Sequence, residues 1–587
     1  MVILEMQALR RGRLRLAMFT TIVLALSLAA SVSSVGVAAR TDGGIHLPMY
    51  RTVASVSQKR STMISAVGLG DFLDVTYTVS VTVGNTETTL VLDTGSSDLW
   101  VVSDACSGEC TDSVVPLYSI ASLNDTGLDV LLLYGDSRTG TYASGPIGQD
   151  SVGIGGLSVA SQTFAAANST NTTIFQTGSA GILGLGFPPI SLMWRERLQA
   201  DLVNSQSPLS KRGLPGPSAN ISTGSIGQPP FPSFDFLKPA LLKKRQAPDG
   251  TSPSPADLAI ASFAHYGPLF TRLIGQDALA LPLIATTLQR DSFQIGGNAG
   301  MLSIGGLPAG LQTTQLTWAP VRGYSSDEGG LPPPSDSPAE VYPLVWEIAV
   351  DDVYFDGVKL PRSILSSPAI SLSALIDTGN SLVRGPRDVV EHIMAYFGGP
   401  NASFDCKEVH NLTFQIGGSM FTVDPRDFAH PLQDDSSSES PRCTPALAMT
   451  DPPGQGGFLY SWSLGDPFLK SVLVAYYYGN VTHPSQDPPK IGLLSTVPSD
   501  VASQLQQAIQ AVVSSGGQFP AIAESAPTGT AISSGTAANG VPQATHADLP
   551  SYASNAALTF ALRTKAWTSL ALATTTGFVL LGIVTYL

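Results

Sequence analysis

The pentapeptide Asp93-Thr94-Gly95-Ser96-Ser97 recurs 284 residues later as Asp377-Thr378-Gly379-Asn380-Ser381. Each copy follows an apolar run, Leu90-Val91-Leu92 in the first and Ala374-Leu375-Ile376 in the second. Each also has a matching element downstream. Ile182-Leu183-Gly184-Leu185 places Gly184 91 residues past Asp93, and Ser463-Leu464-Gly465-Asp466 places Gly465 88 residues past Asp377. A single Asp-Thr-Gly is usually just a turn. An apolar strand, an acid-bearing loop and a distant apolar-glycine element, all repeated at nearly one spacing, point to a duplicated lobe.

The chemistry of the pair follows from its residue types. Gly lets another backbone approach closely, and the Thr hydroxyls can tie one loop to the other. Two carboxylates brought together at about 4 Å, at an effective dielectric of about 20, repel by about 4 kcal/mol. One acid therefore holds its proton while the other ionises, as close carboxylate pairs do in general. The ionised member can take a proton from water, and the neutral member can polarise a peptide carbonyl. Asp93 and Asp377 are the expected catalytic residues. Thr94, Gly95, Ser96, Thr378, Gly379 and Asn380 are the expected loop support.

The rest of the body is β-rich. Tyr77, Val79, Val81 and Val83 alternate with Thr78, Ser80 and Thr82, the period of a half-buried strand. Gly84-Asn85 is a turn signal, and Thr88 to Leu92 leads into Asp93, so a hairpin delivers the first acid. Of the 587 residues 43% are apolar and 13% charged, which excludes a coiled coil or a charge-rich disordered chain. Lys+Arg 31 against Asp+Glu 45 gives a net charge of −14, which argues against nucleic acid as a partner. No His-Glu-x-x-His, Gly-x-Ser-x-Gly or P-loop is present, and no metal or other cofactor is expected.

These motifs resemble those of the pepsin-family aspartic endopeptidases from about Asp71 to Leu494. Asp93 to Trp100 is similar to the family's first catalytic loop. Tyr134-Gly135-Asp136 resembles the tip of its flap, a hairpin that closes over substrate. Gly181 to Leu185 and Leu464 to Leu469 match its paired structural elements. The resemblance implies an all-β dominated, bilobal fold, two pseudo-symmetric β lobes with a cleft between them. It implies an aspartic endopeptidase, a monomer, acting on proteins or peptides at acidic pH. Asn380 departs from the family's usual Thr or Ser; its amide is expected to donate toward a carboxylate. Cys106 and Cys110 sit where the family has a small bridged loop, and Cys406 and Cys443 would close a second loop. Asp136 invites a substrate Lys or Arg before the scissile bond, unless it points to solvent and selects nothing. A catalytically silent homologue that binds peptides or cell-wall material is the alternative function.

The two ends suggest a secretory route. Arg10, Arg11, Arg13 and Arg15 precede an apolar Leu16 to Ala30 and then small residues, a signal peptide or a signal anchor. Lys59-Arg60 and Lys243-Lys244-Arg245 are dibasic sites for a convertase acting at Arg60 and Arg245. Near the C-terminus, Asn555-Ala556-Ala557, a spacer of 8 residues and the apolar Ala566 to Leu587 form the pattern of a glycolipid (GPI) anchor signal, with a membrane-spanning helix as the alternative. Asn555 is the candidate anchor site. The organisation resembles the fungal yapsin-like branch, secreted and held at the plasma membrane or cell wall. Sequons at Asn124, Asn168, Asn171, Asn220, Asn401, Asn411 and Asn480 suit a glycoprotein. The chain thus divides into a signal region at 1–39, a short propeptide at 40–60 and an N-terminal catalytic lobe at 61–310, interrupted by a disordered insertion at 205–255. A C-terminal catalytic lobe at 311–500, a Ser/Thr/Ala/Gly-rich stalk at 501–555 and the anchor-signal or membrane tail at 556–587 complete it.

Overall fold

The computed structural model describes residues 76–107, 110, 115–135, 140–172, 174–206, 232–237, 253–288, 300–308, 310–365, 371–400, 403–432, 441–450 and 460–516. It also describes short strands at 45–46, 65–68, 70–72, 523–524, 533–536 and 542–544. The signal region, both dibasic sites, Asp136, Asn220, Asn401, Asn555 and the apolar tail lie outside the described residues.

The architecture is two β lobes. In the first, β1 (Tyr77–Val83) and β2 (Thr86–Asp93) form the expected hairpin around Gly84-Asn85. Tyr77, Val79, Val81 and Val83 are all buried, so the period of two reports a real core face. Gly84 is needed at the turn: its φ is 58°, and a Cβ there would lie 2.5 Å from Asp150 Oδ2. The chain continues through β3 (Leu99–Val102), β4 (Asn124–Tyr134), β5 (Thr141–Ile154), β6 (Leu157–Ala167) and β7 (Gly181–Gly184). Sheet order is β5-β6-β3-β7-β2-β1, with β4 folded over β5 as a long hairpin. The decisive pairing is that of β7. It runs parallel to β2, with Gly184 beside Asp93, and antiparallel to β3, with Leu183 beside Leu99. The apolar-glycine element thus sits between the two strands that bracket the first acid loop.

Helix α1 (Leu192–Gln206) follows. Its N-terminus is anchored on the acid loop itself: Asp98 accepts from the Ser191 hydroxyl at 2.6 Å and from the amides of Leu192 at 2.9 Å and Met193 at 3.3 Å. A carboxylate at a helix N-terminus satisfies otherwise unpaired amides and complements the helix dipole. Burial pushes the Asp98 carboxyl up while these bonds pull it down. Helix α2 (Pro255–Tyr266) begins in a capping box of Ser254 and Asp257. Helix α3 (Leu269–Gly275) completes the layer behind the sheet.

The interlobe strands β8 (Leu283–Leu288) and β9 (Gly300–Ile304) pair with each other. The second lobe adds β10 (Thr317–Tyr324), β11 (Tyr342–Ala349), β12 (Ser373–Ile376), β13 (Val383–Gly385), β14 (Trp462–Leu464), β15 (Val472–Tyr477) and β16 (Lys490–Ser495). Strand β8 pairs with β15, so the N-terminal half contributes directly to a sheet that runs on through β16, β10, β11, β12, β14 and β13. Here β14 repeats the part of β7. It is parallel to β12, with Leu464 beside Ile376, and antiparallel to β13, with Leu464 beside Val383. The duplication read from spacing is a duplication of strand order and direction.

Two boundaries need correction. The span 205–255 was expected to be a disordered loop, yet Phe234 and Leu237 are buried with Trp194, Leu198, Phe263 and Tyr342. Averaged over a Pro- and Ser-rich stretch, the Phe234-Asp235-Phe236-Leu237 element was invisible, although its apolar rings have a pocket between α1 and α2. Likewise the stalk was expected from 501, but Val501–Ser514 is a helix, α4. Its Leu505, Ile509 and Val512 recur on one face and are buried. Gln504 accepts from Arg426 at 2.8 Å, tying the helix to the second lobe.

Candidate active site

Asp93 is the last residue of β2, and Asp377 directly follows β12. In each loop the carboxylate folds back onto the amide two residues on. Asp93 Oδ1 accepts from Gly95 N at 2.8 Å, and Asp377 Oδ1 from Gly379 N at 2.9 Å. The loops meet face to face. A Cβ on Gly95 would lie 2.5 Å from Asp377 Oδ1, and one on Gly379 would lie 2.5 Å from Asp93 Oδ1. Each glycine is therefore the floor on which the opposite carboxylate rests, and no larger residue fits.

Reciprocal threonine bonds lock this approach. Thr94 N donates to Thr378 Oγ1 at 3.0 Å, and Thr378 N donates to Thr94 Oγ1 at 3.0 Å. Thr94 Oγ1 donates to Ile376 O at 2.8 Å, and Thr378 Oγ1 to Leu92 O at 2.8 Å. Four buried bonds thus cross between the lobes, and each hydroxyl both accepts and donates, leaving no backbone group of the set unpaired.

The electrostatics follow the geometry. Burial first, then the Asp93 charge, push Asp377 up to about 7. Burial also raises Asp93, while bonds from Ser96 and Gly95 favour its ionised form. Burial and the mutual repulsion of the two carboxylates favour one retained proton on the pair, and the Ser96 and Gly95 bonds favour Asp93 as its ionised member. Tyr134 closes the end of β4, half-buried, its ring centroid 6.3 Å from that of Trp100. Burial and the neighbouring carboxylates of Asp98 and Asp93 hold its phenol well above its ordinary value, so it remains a hydrogen-bond donor. Gly135 follows with φ 88°, where the hairpin turns.

Ser96 and Asn380 occupy equivalent loop positions but act differently. The Ser96 hydroxyl donates directly to Asp93 Oδ2 in a short bond. Asn380 was expected to donate to a carboxylate and does not. Its Nδ2 donates to Ser463 Oγ at 2.9 Å, and Ser463 Oγ in turn reaches Asp377 Oδ2 at 3.5 Å. The amide is engaged by Ser463, and this serine from β14 is the one that faces the acid. Ser463 and Arg384, whose Nε donates to Asn380 Oδ1 at 3.1 Å, were missed by the sequence reading. Asn380 at a hydroxyl position was the signal that an extra group was required.

The cysteines pair as expected, Cys106 with Cys110 and Cys406 with Cys443. Among the sequons, Asn124 and Asn168 are exposed. Asn171 and Asn480 use their side chains locally, accepting from Tyr142 N at 2.7 Å and Thr482 N at 3.1 Å.

A third Asp-Thr-Gly, Asp125-Thr126-Gly127, shows what the tripeptide does alone. Asp125 Oδ1 accepts from Gly127 N at 2.9 Å, the same local turn, but on an exposed bulge of β4. Among the described residues no second Asp-Thr-Gly loop faces it, and a Cβ on Gly127 would meet nothing within 4 Å.

Residues 76–211 and 258–483 match the family model described as eukaryotic aspartyl protease. An aspartic protease of Phaffia rhodozyma is 26% identical over 421 residues, covering 69% of this chain and 74% of that protein. Cathepsin E-A of Xenopus laevis is 25% identical over 473 residues, covering 78% and 87%. Rhizopuspepsin-2 of Rhizopus niveus is 35% identical over a shorter 195 residues, covering 32% and 49%.

Proposed function

Since the chain belongs to the eukaryotic aspartyl protease family and is an aspartic endopeptidase, we propose that it hydrolyses internal peptide bonds of proteins at acidic pH in a secreted, surface-held form. The observation that carries the acid reading is the carboxylate pair itself, buried and locked face to face by four threonine bonds. In the proposed cycle a water bound between Asp93 and Asp377 is the nucleophile. Ionised Asp93 takes one of its protons as the oxygen attacks the peptide carbonyl carbon. Protonated Asp377 donates to the carbonyl oxygen, which becomes a hydroxyl of the tetrahedral intermediate. Asp93 then passes its proton to the departing amide nitrogen, and Asp377 recovers its own as the new carboxyl forms. Tyr134 on the hairpin covers the bond from the other side.

The test is digestion of a denatured protein at about pH 4, with and without a pepstatin-type inhibitor. Inhibitor-sensitive cleavage is expected; a folded, mature enzyme without it would overturn the reading.

The remainder rests on sequence. A signal region, convertase cleavage after Arg60 and Arg245, action as a monomer and a lipid anchor near Asn555 complete the proposal, on the yapsin-like plan. A phosphatidylinositol-specific phospholipase is expected to release the protein from membranes; an Ala566 to Leu587 peptide retained in the surface protein would favour a membrane helix instead. Cleavage at Arg245 is expected to leave two pieces that part on a non-reducing gel, because each disulfide lies wholly on one side of the cut. Acceptance of Lys or Arg before the scissile bond through Asp136 is tested by comparing kcat/KM for Lys and Leu peptides in wild type and Asp136→Ala.

A further inference from the structure

A chain of polar side chains leads from the second catalytic acid to a cation. Arg384 lies on β13, half-buried, and its Nε donates to Asn380 Oδ1 at 3.1 Å. The same oxygen accepts from Leu382 N at 3.2 Å. Two donors on one oxygen fix the amide's orientation, so Asn380 Nδ2 must point the other way, and it donates to Ser463 Oγ at 2.9 Å. A serine hydroxyl has a single proton. With an incoming bond from Asn380, that proton is directed at Asp377 Oδ2, 3.5 Å away. Asn380 and Ser463 are buried, so little solvent screens the line.

Among the described residues, the titratable and polar side chains that act on Asp377 are the Asp93 carboxylate from the opposite loop, the Arg384 guanidinium from β13, the Ser463 hydroxyl from β14 and the Tyr476 phenol from β15. The phenol is neutral, since burial holds it far above its ordinary value, and it also lies in the field of Asp466. Arg384 is thus the one cation among these groups. Its charge and the Ser463 bond both favour ionised Asp377, against burial and Asp93.

We propose that Arg384, acting through Asn380 and Ser463, is a positioning residue that sets the alkaline limit of the enzyme's activity. The inference rests on the acid–base reading of the pair given above. By holding ionised Asp377 in favour, the relay makes the dyad give up its working proton at a lower pH than it otherwise would. It restricts the protease to an acidic compartment and silences it as surroundings approach neutrality.

The experiment is the pH profile of kcat/KM for wild type, Arg384→Met, Arg384→Lys, Ser463→Ala and the Arg384→Met/Ser463→Ala double variant. Arg384→Met is expected to move the alkaline limb up by about half to one pH unit, and the acid limb less. Arg384→Lys restores part of that displacement because the charge returns without the planar donor. Ser463→Ala moves the same limb in the same direction, and the double variant moves it by less than the sum of the singles. An alkaline limb within about 0.2 unit of wild type in Arg384→Met, equal displacement of both limbs, or strict additivity would overturn the relay. Should Arg384→Met fail to fold, Arg384→Lys and Ser463→Ala decide it through the same limb. Failure of the underlying reading is separately visible, as a folded wild type with no inhibitor-sensitive cleavage at acidic pH.

Discussion

The two lobes present the same Asp-Thr-Gly loop and secure it by different means. Backbone and threonine contacts are matched nearly atom for atom: each acid accepts from the glycine two residues on, and each threonine grips the other lobe. The fourth loop residue breaks the match. In the first lobe Ser96 touches Asp93 directly, whereas in the second Asn380 works through Ser463 and is itself held by Arg384. What must be common to both lobes is the geometry that brings two carboxylates together. What differs is the hydrogen bonding that decides which of them keeps the proton.

The largest expected effect tests the common part. Asp93→Asn or Asp377→Asn is expected to lower kcat by about a thousandfold or more with the fold intact. A folded variant near wild-type rate would break the equivalence of the two acids. Next come the glycine floors. Gly95→Ala and Gly379→Ala place a Cβ 2.5 Å from the opposite carboxylate, so each should cost about a hundredfold in kcat/KM by displacing the acids. A loss confined to one lobe would show that only one loop is rigid.

The threonine grip is read through stability. Thr94→Val or Thr378→Val keeps the shape but orphans a buried amide and a buried carbonyl of the partner lobe, at about 1–3 kcal/mol for each group. Thermal or denaturant unfolding should show similar losses for the two variants, and a one-sided loss would refute reciprocity. The unmatched residue has a smaller, directional effect. Ser96→Ala removes a bond that favours ionised Asp93, so the acid limb of kcat/KM should rise by about one pH unit. Asn380→Ala should leave that limb in place.

The smallest effect is on stability against pH. Asp377 is raised to about 7 in the folded protein, above its unfolded value of about 4. A group raised in this way contributes stability that is present below the unfolded value and lost as pH rises through the folded one. Wild type is therefore expected to lose unfolding temperature between about pH 4 and pH 7, and Asp377→Asn to lose less over that window. An identical slope in both would place the titration elsewhere.

Much of the site was legible because it is built from repeats that must be local. A turn that folds a carboxylate onto an amide two residues on needs only Asp-x-Gly, and the alternation of Tyr77 to Val83 needs only one buried face. The paired acids, their threonines and glycines, the tyrosine that ends β4 and the cysteines could all be named by position. Averaging composition over long stretches hid short apolar signals, and so Phe234 and Leu237 were read as loop and Leu505, Ile509 and Val512 as stalk.

Other features were decided only in three dimensions. Asp125-Thr126-Gly127 makes the same local turn as the loops at Asp93 and Asp377 and remains an exposed bulge, because among the described residues no parallel apolar-glycine strand and no second such loop meet it. Ser463 and Arg384 gain their roles from strands β14 and β13, which lie side by side though 79 residues separate the two side chains in the sequence. Sequence determined which acids this protein can use, since short-range turns and strand periods are properties of neighbouring residues. Tertiary structure decided how those acids share a proton, since burial and the placement of distant donors and charges exist only once the strands have paired.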